Sequence, residues 1–109
     1  MFKRGDIVSV NFPFSDGSGS KLRPALILSN NSIAGSGDVV VLMISSQTRT
    51  SAVAIELTPE LLTNPLPKNS FVRCHQLYTI DQRLLLSKYG SVTKEGMMLI
   101  FDAVVSIIK

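Results

Sequence analysis

Two arginines and the chain's single histidine are the residues best suited to chemistry: Arg23 in Lys21-Leu22-Arg23-Pro24, and Arg73 with His75 in Phe71-Val72-Arg73-Cys74-His75-Gln76. Side chains alternate across a strand, so a strand over 70–77 predicts Arg73 and His75 on one face and Cys74 on the other. That face would hold a cation beside a titratable base. RNA can be cut by its own 2′-hydroxyl when one group takes that proton, another protonates the leaving 5′-oxygen, and a cation steadies the charge on the phosphorus oxygens. No metal or other cofactor is required. Arginine grips phosphate with paired donors, a geometry lysine lacks, and imidazole is the side chain that ordinarily titrates near neutral pH. Plainer readings stand beside these. His75 could be a strand histidine bonded to a neighbour, Arg23 a surface charge before Pro24, and Cys74 a buried core residue rather than a nucleophile.

The elements that must position these residues belong to a chain of 109 residues with 45% hydrophobic side chains, the size of one domain spanning 1–109. A formal net charge of +3 favours an anionic partner only mildly. The placement of charge says more: Lys21, Arg23, Arg49 and Arg73 fall in segments that read as loops or strand ends, with Asp16 the only acid among them. A lone cysteine allows no internal disulfide, in keeping with a reducing cytoplasm. The amino terminus turns polar at Lys3-Arg4-Gly5-Asp6, so no signal peptide is expected. The apolar stretch 97–108 is too short to cross a bilayer, and the protein reads as soluble.

Val8, Val10 and Phe12 alternate with Ser9 and Asn11, which predicts a first strand with one dry and one wet face. Pro13 to Lys21, rich in Ser and Gly, reads as a mobile loop over a bound strand or an idle one. A second strand is expected after Pro24, a central one over 39–44, and a further one over 52–57. Thr58-Pro59-Glu60 predicts a short helix, Thr79-Ile80-Asp81 a turn, and 87–92 another strand. Thr93 caps one long helix with Met97, Ile100, Phe101, Val104 and Ile108 on a stripe, while Met98 and Val105 lie off it and suggest a partner subunit. About six or seven strands followed by a terminal helix predict an α+β fold, mainly β: a small bent antiparallel sheet or barrel closed by that helix.

Several segments, in order, resemble MazF/PemK/Kid-type toxins: Arg4-Gly5-Asp6-Ile7-Val8, Arg23-Pro24 running to Asn30, Ile44-Ser45-Ser46-Gln47, Val72 to Gln76, Thr79-Ile80-Asp81 with Arg83-Leu84, and Gly90. The resemblance covers nearly the whole chain. It implies an SH3-like barrel, a homodimer, a metal-independent endoribonuclease that cuts single-stranded mRNA at short sequences, and a cognate antitoxin with an acidic tail. It matches Arg23, Arg73 and Ser45 to catalytic positions, to which residue chemistry adds His75 as the expected base, and RNA contact is expected of Lys21, Ser18, Ser46, Gln47, Arg49 and Gln76. Ser45 stands where many members have a catalytic threonine, and His75 where the PemK branch has the aspartate proposed as the base. Two alternatives follow from the same resemblance: a non-enzymatic toxin of the gyrase-binding type, and a member that keeps antitoxin binding but no longer cuts.

Overall fold

A computed structural model of the chain describes residues 2–13, 17–46 and 53–109. Six strands and one α-helix follow in order: β1 (Asp6–Pro13), β2 (Ser20–Ile27), β3 (Asp38–Ser45), β4 (Ala54–Glu56), β5 (Phe71–Asp81), β6 (Leu85–Ser91) and α1 (Lys94–Ile108). Short 3-10 turns at Asn31–Ser36, Pro59–Leu61 and Gln82–Leu84 link them. All strands are antiparallel, in the spatial order β4-β5-β3-β2-β1-β6. No helix of the described residues is long and apolar enough to cross a membrane.

The expected α+β class is what is found, but the sheet is not hydrogen-bonded into a closed barrel. Its two ends are instead sewn together just beyond β4 and β6. Leu62 bridges to Val92, the Thr63 amide donates to the Ser91 carbonyl at 2.9 Å, and the Thr93 amide donates to the Leu61 carbonyl at 2.8 Å. Gly5 holds the other side of that seam. With φ of +91°, a left-handed value that side chains resist, it donates its amide to Ile27 and accepts from Val92.

Both faces of the central strands are apolar, which is why β3 reads as a nearly continuous hydrophobic run. Ile7, Leu26, Leu42, Val72 and Cys74 pack with Met97, Ile100 and Val104 of α1. Val8, Val10, Ala25, Ile27, Val39 and Val41 form a second cluster on the other face. Burial raises the Cys74 thiol above its ordinary range, so it stays protonated as a core group.

Three local expectations change. The face of β1 expected to be wet is not: Ile7 and Ser9 are buried, and the Ser9 and Ser87 hydroxyls bond each other at 2.8 Å. β2 begins at Ser20 rather than after Pro24. Pro24 is tolerated because its rung pairs with Ser9 of β1, whereas pairing with β3 starts only at Ala25, so its missing amide interrupts no β3 ladder. The turn expected at 79–81 falls later, since β5 continues to Asp81, paired with Asp38, and the chain reverses over Gln82–Leu84. Asp81 caps that reversal by accepting from the Arg83 amide at 2.8 Å and its guanidinium at 2.7 Å.

The Arg83 guanidinium and amide bonds hold the Asp81 carboxyl down to about 2 from its ordinary 3.8. A carboxylate pKa depressed on folding stabilises the folded state above the unfolded pKa, and that stability fades as pH falls through the folded one. Between pH 4 and 2 the wild type should therefore lose this contribution, and Asp81→Asn should show a shallower loss of stability across that window in acid titrations followed by circular dichroism. The group is fully exposed, so the difference in midpoint is small.

Thr93 caps α1 as its sequence predicts, its hydroxyl accepting from the Gly96 amide at 3.2 Å. Met97, Ile100 and Val104 are buried and Phe101 partly so, but Ile108 at the end of the helix is 70% exposed. Arg4, just before β1, joins the end of β2 to α1, donating from Nε to the Leu28 carbonyl while its guanidinium lies 4.9 Å from the Phe101 ring. Gly96 is required for a different reason than flexibility. A Cβ there would stand 2.6 Å from a Val92 methyl and 3.2 Å from the Leu61 carbonyl. Gly96→Ala is expected to lower the melting temperature, because overpacking of about 1–3 kcal/mol exceeds the roughly 1 kcal/mol that alanine adds to helix propensity.

Candidate active site

A groove of about 950 Å³ opens on the face where β2, β3 and β5 meet the loop before β5. Arg23 reaches it from β2, Ser45 and the following Ser46 from the end of β3, and Arg73 and Gln76 from β5. Lys21 joins from the same strand as Arg23, two residues earlier, so the strand period puts both cations on one face.

The register of β5 against β3 decides which of its side chains arrive. Leu42 pairs with Leu77 and Ile44 with Val72, so residues 73–76 stand opposite Met43 alone. This irregularity resets the alternation. Val72 and Cys74 point into the core as expected, and Arg73 points away from it. Beyond that, Gln76 and Tyr78 line the groove with Arg73, while His75 is exposed and does not line it. Cys74 is buried while Arg73 and His75 are not, the alternation expected of the strand, but of these two only Arg73 lines the groove, joined there by Gln76. Bulges near sites commonly re-aim side chains in this way.

Arg73 is the most informative member. Its Nε is buried and has no hydrogen-bond partner among the described residues. A buried donor left unpaired costs about 1–3 kcal/mol, and guanidinium donors on a groove wall suit a bound oxyanion. Charge agrees. Among the described residues Lys21, Arg23, Lys68 and Arg73 line the groove, and no acidic side chain does.

The remaining expected residues divide. Ser18 is exposed and away from the groove. Gln47 and Arg49 lie outside the described residues, as does most of the polar loop that follows Ser46. Lys68, Ser70 and Tyr89 line the groove without having been singled out from sequence. Lys68 sits in an irregular segment between Pro59–Leu61 and β5, where no periodicity marks a face. Tyr89 is one residue of an edge strand whose own register is irregular.

The PemK-like, MazF-like toxin model of type II toxin–antitoxin systems matches residues 3–108. The chain belongs to this family. Among curated proteins, none is similar to it in sequence. Among solved structures, an endoribonuclease in complex with its cognate antitoxin from a Mycobacterial species is 25% identical, with a TM-score of 0.78 over 99% of this chain and 95% of that one. A MazE–MazF complex from Deinococcus radiodurans has a TM-score of 0.80 at 17% identity, over 98% and 95% of the two chains. The Mycobacterium tuberculosis toxin MazF-mt6 has a TM-score of 0.73 at 21% identity, covering 96% of each. At these lower identities the last two speak for the fold alone. Arg23, Ser45 and Arg73, from three different strands, all line this one groove.

Proposed function

We propose that this family member is a metal-independent endoribonuclease acting on single-stranded RNA, restrained by a cognate antitoxin. The observation that carries the reading is the groove itself, lined by both Arg23 and Arg73, with the buried Arg73 Nε unpartnered and four cations unopposed by a lining acid among the described residues. In the reaction, the 2′-oxygen attacks the adjacent phosphorus and the P–O5′ bond breaks, leaving a 2′,3′-cyclic phosphate and a 5′-oxygen that takes a proton from solvent to become the 5′-hydroxyl. Arg23 and Arg73 hold the phosphate oxygens and stabilise the added charge as the fifth bond forms. Ser45 hydrogen-bonds an oxygen of the same phosphate.

His75 is assigned the proton of the 2′-hydroxyl as the chain's single imidazole, between Arg73 and Gln76 in sequence and at the position where the PemK branch has its proposed base. Lys21, Ser46 and Gln76 contact the flanking nucleotides, and the assignment extends to Ser18, Gln47 and Arg49 through the family resemblance. The exposed apolar side chains Met98, Leu99 and Val105 of α1 support a homodimer. An acidic antitoxin segment would complement the unopposed cations.

Purified protein incubated with a long single-stranded RNA in excess EDTA should cut it, and Arg23→Ala should slow cutting by about 10²-fold or more. His75→Ala is expected to lose about 10²- to 10⁴-fold. A base must be unprotonated, so the log of the wild-type rate should rise with pH and then level off, and His75→Ala should lack that rise. Cutting by His75→Ala at wild-type rate would move the base to another group. Failure of folded wild type to cut any RNA would favour a member that binds antitoxin without catalysis.

A further inference from the structure

The chain has two tyrosines and no tryptophan, and both tyrosines line this groove, Tyr78 41% and Tyr89 51% exposed. They arrive by different routes. Ile7 pairs with Gly90 and the next residue, Val8, with Lys88, so Tyr89 is the extra residue of a β-bulge with nothing opposite it. A bulge costs ladder bonds and typically serves to redirect a side chain. Here the redirected side chain is an aromatic ring delivered to the groove. Tyr78 is braced by Phe12, whose ring meets it edge-to-face at 5.1 Å and 79°. A braced ring loses little freedom when a ligand stacks on it.

The rungs of β1 order these rings about the arginine centre. Arg23 pairs with Val10, Phe12 pairs with Lys21, and Tyr89 falls between the partners of Ile7 and Val8. At about 3.3 Å per residue, Tyr89 stands roughly 7–10 Å along the strand on one side of Arg23, and the Phe12–Tyr78 pair roughly 7 Å on the other. One planar base cannot bridge both stations.

We propose that Tyr89 and the braced Tyr78 are base-stacking residues, each taking one nucleobase of single-stranded RNA on opposite sides of the phosphate held by Arg23 and Arg73. The inference rests on the ribonuclease reading above and adds to it the residues that set the register of the strand. Stacking accepts any base, so these rings supply affinity and position, while base identity is read elsewhere.

Because the chain has no tryptophan, its intrinsic emission comes from these two tyrosines alone. Titrating wild-type protein with a random-sequence 2′-O-methyl RNA pool, which cannot be cut, should quench that emission, and Tyr89→Phe should leave only the quenching of Tyr78. Binding of the same pool should weaken about 5- to 150-fold in Tyr89→Ala, with affinities at position 89 ordered Phe above Leu above Ala. In cleavage of a long RNA the Tyr89→Ala loss should fall on KM, with kcat largely kept. Tyr89→Leu binding as well as Tyr89→Phe, or Tyr89→Ala binding as tightly as wild type, would overturn the proposal while RNA cleavage by wild type stood. Wild type that neither binds nor cuts RNA would instead overturn the ribonuclease reading. Melting curves confirm that each variant is folded, and the Phe–Leu comparison decides the matter even where alanine is not tolerated.

Discussion

Arg73→Ala is expected to reduce kcat for RNA cleavage by about 10²- to 10³-fold, the usual cost of deleting one preorganised donor from a charge-stabilising site. The loss should fall on kcat more than on KM, because charge on the phosphate oxygens grows as the 2′-oxygen adds. Three features of the site set that expectation. Strand alternation turns Arg73 away from the core between buried Val72 and Cys74, its Nε is buried without a partner, and no lining acid competes for it among the described residues. Arg73→Lys should recover little, since an ammonium cannot reproduce the planar fork. The alanine variant should fold at least as well as wild type, because truncation also removes an unpaired buried donor. Single-turnover cleavage rates beside thermal melts test both halves, and a variant that cuts at wild-type rate removes Arg73 from the phosphate.

The second large effect concerns stability. Ile100→Ala should lower the free energy of unfolding by about 2–5 kcal/mol. Ile100 is completely buried and packs with Leu42, Val72 and Cys74 in the cluster that joins α1 to the sheet. Removing its side chain leaves a cavity walled by strands that are hydrogen-bonded on both sides, so the site cannot collapse to fill it. Val72 and Cys74 belong to the stretch that aims Arg73, so the damage should reach the groove as well as the core. In urea the midpoint should fall with the slope unchanged. A loss under about 1 kcal/mol would mean that α1 is held by contacts other than this cluster.

Much of the architecture is legible in local patterning. The 3.6-residue stripe Met97, Ile100, Val104, the Thr93 cap and the apolar run of β3 follow from rules that act within a few residues. Ser9 and Asp6 are not legible in that way. Both are polar yet buried, because partners more than 75 residues away, Ser87 for one and Ser91 for the other, satisfy them. Pro24 inside a strand misleads for a similar reason, since its tolerance depends on where the β3 ladder begins.

The chain's own sequence determined the family, the element order and the candidate residues Arg23, Ser45 and Arg73, because residue types and their order are carried along the chain itself. Only the tertiary structure decided which neighbours meet. A strand's alternation survives only while its register is unbroken, and register is set by pairing between distant segments. The break opposite Met43 is what brings Gln76 to the groove beside Arg73, and the bulge at Tyr89 adds a second tyrosine to the same groove.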